Sequence, residues 1–152
     1  MAKVSLKDYA QEGDQLPLLH LIPLTHRLLK LEDALKEYDL TKSQLYILAA
    51  IYYRGCLTMT QVSESISSSK EQATRAVAPL VEKGYIKRFE LENDRKHVYV
   101  ELTDAGRQIL EAVRTRAVSG FHKKLDNAVS EEEKQQLIEA LHTVISILGK
   151  VK

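Results

Sequence analysis

In the stretch KEQATRAVAPLVEKG, Lys70 to Gly84, the apolar residues Ala73, Val77, Leu80 and Val81 recur at helical spacing. With these turned inward, Glu71, Gln72, Thr74, Arg75, Ala78, Pro79 and Glu82 face outward. Gln72 and Arg75 carry donors and acceptors that match adenine or guanine edges in a major groove, and Thr74 suits either a base or a phosphate. Ser68, Ser69 and Lys70 lie at the head of this predicted helix, where free backbone N–H groups and the helix dipole favour an anion such as phosphate. Farther along, the polar segment ENDRK presents Arg95 and Lys96 at a hairpin tip. An arginine so placed can enter a minor groove, where the potential is most negative in A·T-rich sequence. Asp94 would repel a phosphate if left alone, so its expected work is to hold Arg95 or another basic residue through a charge-assisted hydrogen bond.

Those residues need elements to aim them. Thr41 with Gln44, Thr58 with Gln61, Ser69 with Gln72 and Ser130 with Glu133 have the spacing of a capping box, and each opens a predicted helix. Gly55, Gly84 and Gly149 stand where three of these helices should end. Strands are expected at Tyr85 to Glu90 and His97 to Leu102, joined by the polar tip with its Asn93-Asp94 turn pair. Helix, polar turn, longer helix and hairpin in that order make a helix-turn-helix with a β-wing, which places one helix in a DNA major groove.

On either side, leucine is plentiful. From Leu16 to Tyr38, apolar residues at three- and four-residue spacing predict one long helix, starting or bending at Pro23. Pro79 is likewise expected to bend or tighten the helix it interrupts. Thr103 can cap a helix that stacks Leu110, Val113, Ala117 and Phe121 on one face, and Leu137, Leu141, Val144, Ile145 and Leu148 line the last. This apolar surface exceeds what a small winged module can cover, so the terminal helices are expected to form a dimerisation lobe. The predicted fold is mainly α with a small β-wing: residues 1–38 an N-terminal segment and dimerisation helix, 39–102 the winged module, and 103–152 the C-terminal dimerisation helices.

The 152 residues carry a net charge of +1, with 44% hydrophobic and 28% charged residues, the make-up of an ordinary globular chain. The charge is not even along the chain: residues 54–97 hold eight Lys/Arg against six Asp/Glu. Apolar runs such as Leu18 to Leu24 are too short to span a bilayer, and the N-terminus lacks a signal-peptide core, so a cytoplasmic protein with no membrane partner is expected. The lone Cys56 excludes an internal disulfide and suits a reducing compartment. Ser67, Ser68 and Ser69 have no paired base and there is no glycine-rich phosphate loop, so neither an enzyme nor a cofactor is expected. The five histidines show no metal-ligand spacing.

The segment from Leu40 to Gly106 resembles the MarR family of bacterial and archaeal winged-helix transcription regulators. The resemblance rests on LT before the second helix, G-x-LT before the third, TR in the recognition helix, EKGYIKR at its end, DRK in the wing and V-x-LT-x-x-G at the start of the next long helix. It implies a homodimer whose terminal helices interlock and whose two winged modules read a pseudo-palindromic double-stranded operator. By match, Thr74 and Arg75 fall on the recognition-helix pair and Asp94 and Arg95 on the wing's Asp-Arg pair. The sequence departs from the family at Glu92, where proline is frequent, and at Pro79, where a helix former is usual.

Family members often respond to small aromatic or phenolic ligands bound between the dimer and reading lobes, and by position His20, Arg27, Tyr38, Tyr46 and Tyr53 are the candidates here. DNA release by such a ligand from a repressor is the expected regulation. Two alternatives are a winged-helix module that docks proteins, and a redox-responsive regulator acting through Cys56, for which Arg54 is the sole pKa-lowering neighbour in RGCLT.

Overall fold

The computed structural model describes residues 17–150, and the chain divides after Ala117 into two compact units. In the first unit α1 (Pro17–Leu28), α2 (Leu31–Glu37) and α3 (Lys42–Arg54) lead into β1 (Cys56–Thr58). Then come α4 (Met59–Ser65), α5 (Lys70–Glu82), β2 (Ile86–Leu91), β3 (Asp94–Leu102) and α6 (Asp104–Val118). The second unit contains α7 (Phe121–Asp126) and α8 (Glu131–Leu148). A mainly helical fold with a small antiparallel sheet is what the sequence pattern predicts.

All four predicted capping boxes form, each with both reciprocal hydrogen bonds, at Thr41/Gln44, Thr58/Gln61, Ser69/Gln72 and Ser130/Glu133. Three helix ends share another device. The N–H of Leu40 reaches the carbonyl of Leu35, that of Ser68 reaches Ser63, and that of Tyr85 reaches Leu80, the six-to-one bond of a Schellman motif. The residue before each donor must then be left-handed, and Asp39 (φ +49°), Ser67 (φ +49°) and Gly84 (φ +72°) are. Only one of the three is glycine.

The sheet has the order β1-β3-β2 and is antiparallel throughout, with Leu57 opposite Val100 and Ile86 opposite Leu102. β1 is a third strand beyond the two expected from the sequence. Ile47, Leu48 and Ile51 of α3 bury against Leu57, Val77 and Val100, so α3 is the post around which the helix-turn-helix and the sheet are assembled.

The region expected to be one helix from Leu16 to Tyr38 is two helices, and the interruption is at Leu29 and Lys30 rather than at Pro23, which lies inside α1. There the N–H of Lys30 leaves the helical ladder to donate to the carbonyl of Ala117 at 2.8 Å. Phe121 does not continue the α6 stripe of Leu110, Val113 and Ala117, because Gly120 adopts φ +82° and opens α7. Gly149 does follow α8, but with right-handed φ −64° rather than as a left-handed stop.

Thr103 ties α6 to the turn that ends α5. Its hydroxyl donates to the carbonyl of Gly84 at 2.5 Å and accepts the N–H of Gly106 at 3.0 Å. Gly106 is required by space: a Cβ there would stand 2.0 Å from the carbonyl oxygen of Tyr85.

In the second unit, Lys134 forms ion pairs with Asp126, at 2.6 Å, and with Glu131. α8 buries none of its side chains.

Candidate nucleic-acid interface

α5 is held from behind by Ala73, Val77 and Leu80, all fully buried. A second restraint was not foreseen from sequence. Gln44, itself buried, accepts the N–H of Thr41 through Oε1 and donates from Nε2 to the carbonyl of Ala76 at 3.4 Å, so the box that starts α3 also fastens α5 to it. Lys83, just past the end of α5, donates to both the carbonyl and the carboxylate of Asp39 at 2.7 Å. That ammonium holds the Asp39 carboxyl below its ordinary value, first by the hydrogen bond and then by its charge.

On the outer face, Gln72, Thr74 and Arg75 are exposed beside Ser69 and Lys70, while Ser68 is half-buried in the turn. Each of the three candidate reading groups has an internal partner. Gln72 Oε1 accepts the N–H of Ser69 at 3.3 Å, the Thr74 hydroxyl donates to the carbonyl of Lys70 at 2.8 Å, and Arg75 pairs with Glu71 one turn back. The acceptor of Gln72 is thus committed to the cap. Ala78 and Pro79 are half-buried rather than outward, and Pro79 lines a cleft with Leu40, Gln44 and Lys83. The helix runs on through Pro79 to Glu82, and the carbonyl of Pro79 accepts the N–H of Lys83. The usable outer surface is therefore narrower than predicted and lies in the first two turns.

The wing also differs. Its strands extend to Leu91 and Asp94, so Glu92 and Asn93 alone form the turn, and Arg95 and Lys96 belong to β3 rather than to a loose loop. Both are exposed, and neither side chain has an ion pair or hydrogen bond among the described residues. Asp94 does not hold Arg95. Its carboxylate accepts from Nδ1 of His97 and from the hydroxyl of Tyr99, each at 2.9 Å. The His97 bond, followed by that from Tyr99, keeps the Asp94 carboxyl below its ordinary value, and the hydrogen bond to Asp94 raises the Tyr99 phenol. His97 and Tyr99 were missed as site residues; the signal was an imidazole and a phenol three and five positions beyond an aspartate.

The expected effector residues do not converge. Tyr46 lines a cavity of about 410 Å³ at the α1–α2 break, beside His26, Lys30, Glu32 and Lys42. Glu32 is paired there with Lys42 at 3.1 Å and His26 at 3.2 Å, and these hydrogen bonds, Lys42 foremost, lower its pKa. Arg27 is exposed, Tyr38 packs half-buried against the core, and Tyr53 receives an N–H from Arg114 at 3.3 Å. Neither Arg27, Tyr38 nor Tyr53 lines that cavity. The side chain of His20 lies outside the described residues. Cys56 is exposed on β1, opposite Glu101. Among the described residues there is no metal-ligating cluster and no helix long and apolar enough to cross a membrane.

The family model for MarR matches residues 40–98, the span from the end of the α2–α3 turn to the wing. The multiple antibiotic resistance protein MarR of Salmonella typhimurium is 30% identical over 103 residues, which cover 68% of this chain and 72% of that protein. Among solved structures, apo wild-type MarR from Escherichia coli superposes with a TM-score of 0.69 at 25% identity, covering 95% of this chain and 99% of its own. A mutant MarR from the same organism complexed with operator DNA gives 0.56 at 28% identity, over 88% and 99%. Identity across two thirds of both chains, with the family pattern seated on the helix-turn-helix and wing, places this protein in the MarR family.

Proposed function

We propose that this DNA-binding MarR-family transcription regulator acts as a cytoplasmic homodimeric repressor on a pseudo-palindromic operator and is released by a small aromatic or phenolic ligand. The observation that carries the DNA-reading assignment is the pairing of a rigidly held α5, exposed at Ser69, Lys70, Gln72, Thr74 and Arg75, with a wing whose Arg95 and Lys96 are unpartnered among the described residues. In this reading Ser68, Ser69 and Lys70 position phosphate at the head of α5, and Thr74 and Arg75 contact bases. Gln72, its oxygen engaged in the cap, contributes its amide N–H. Arg95 enters the adjacent minor groove, Lys96 contacts phosphate, and Asp94 shapes the tip.

Residues 39–102 are the reading module in this proposal, with 1–38 and 103–152 supplying the dimer contacts. The support is the apolar surface left open on α1, at Leu21, Ile22 and Leu24, and on α8. For the effector, the cavity beside Tyr46 has a volume suited to a small ring compound. As a repressor the dimer would act by occupying promoter DNA.

Fluorescence anisotropy with DNA from the neighbouring promoter, at several salt concentrations, tests the reading. A steep negative salt slope is expected, and Arg95→Ala should weaken binding and flatten the slope by about one unit. Binding indifferent to salt and sequence would refute it. Adding small phenols to the preformed complex should lower the anisotropy, and in vitro transcription from the same promoter should recover in parallel.

A further inference from the structure

We propose that His97 and Tyr99 position Arg95 for DNA, acting through the carboxylate of Asp94; this rests on the DNA-binding reading above and assigns two further residues to the same wing. In the β2–β3 ladder Leu91 pairs with Asp94 and Glu90 with Val98, so Arg95, Lys96 and His97 have no residue opposite them. Three successive unpaired residues at a hairpin tip would ordinarily sample many conformations, and fixing an arginine there on binding would carry a large entropic cost.

This excursion is closed from within. The Asp94 carboxylate accepts from His97 Nδ1 and from the Tyr99 hydroxyl. Tyr99 gives the arrangement a fixed base. It lies in the three-stranded part of β3, paired with Thr58 on one side and Phe89 on the other, and its ring stacks on Phe89 with centroids 5.8 Å apart and planes at 30°. The restraint therefore runs from the sheet through the Tyr99 phenol to Asp94, and from Asp94 to His97, two residues beyond Arg95. A carboxylate next to a free arginine would normally draw it back into a bidentate pair. Here two donors occupy that carboxylate, and the guanidinium stays exposed.

A double-mutant cycle on operator affinity, with the full-length chain, tests this. Tyr99→Phe keeps the stacked ring and removes only the hydroxyl. It and His97→Ala are each expected to weaken binding by about five- to tenfold, and in either background Arg95→Ala should have much less effect than in the unsubstituted chain. His97→Gln, which retains an N–H donor, should recover most of the loss. Unchanged melting temperatures would show that the variants remain folded. If the unsubstituted chain binds with a steep salt slope but the effects of Arg95→Ala and the clamp substitutions simply multiply, the positioning role is overturned and the DNA reading stands. If that chain shows no salt-dependent operator binding, the DNA reading falls and the proposal with it.

Discussion

In the winged module Ile47, Leu48, Val77 and Val100 have no access to solvent, whereas α8 carries Leu137, Ile138, Leu141 and Ile145 without burying one of them. The two regions share the same local grammar: a capping box, a three-and-four apolar repeat, a glycine after or near the end. What separates them is supply. The module brings α3, α4, α5 and three strands to bear on one another, so each apolar face meets a neighbour from its own chain. α8, with Ile145 at 67% exposure, has a pattern that its own unit does not fill. Periodicity thus states that a face will be covered and is silent on what covers it.

Core truncation should separate the regions most widely. Leu48→Ala is expected to cost about 3 kcal/mol in urea unfolding, since the cavity would open at the centre of α3's packing. A loss below about 1 kcal/mol would mean that this core is loose enough to collapse around the gap.

In α8 the opposite result is expected. Ile145→Glu should leave the helical circular dichroism unchanged and shift the mass measured by light scattering toward the 17.3 kDa of a single chain. Persistence of a dimer through that substitution would place the contact on another face.

Smaller effects should come from the turns. Ser67→Gly removes a side chain from a left-handed residue that makes no side-chain hydrogen bond among the described residues, and should raise stability by about 1 kcal/mol. Asp39, at the equivalent turn, is left-handed too but carries the Lys83 contact. Because its folded pKa lies below the unfolded value of 3.8, its contribution is present above that value and disappears as pH falls through the lowered one. Thermal melts of the unsubstituted chain and Asp39→Asn should therefore differ near neutrality and converge in acid, and a gap that persisted at low pH would assign the difference to something other than this pair.

The parts legible in the sequence are those set within a few residues. TKSQ, TMTQ, SKEQ and SEEE each specify a helix start because the box closes on itself. The order of elements followed from those starts and from the period change at the wing. The α1–α2 break was not legible, because it depends on a carbonyl at Ala117 that no local pattern announces. The three-residue β1 was equally hidden, being defined by its pairing with β3. At the site, the exposure of Thr74 and Arg75 could be read from helical phase, and that of Arg95 and Lys96 from the all-polar run joining the two strands. The partner of Asp94 could not, since it depends on where the β2–β3 register slips, and Ala78 and Pro79 were misjudged because what covers that end of α5 comes from outside the helix.

The Glu71–Arg75 pair has a kinetic consequence. In the proposed reading mode, an arginine that already has a carboxylate one turn back on α5 exchanges that partner for the groups it meets on DNA, and because the pair is exposed the exchange costs little. A guanine edge, with two acceptors, can replace that carboxylate bidentately, whereas adenine, thymine or cytosine at the same step cannot. Under the proposed reading Glu71 is an internal counterion, and Glu71→Ala should modestly lengthen residence on non-operator duplex, as read by dissociation kinetics.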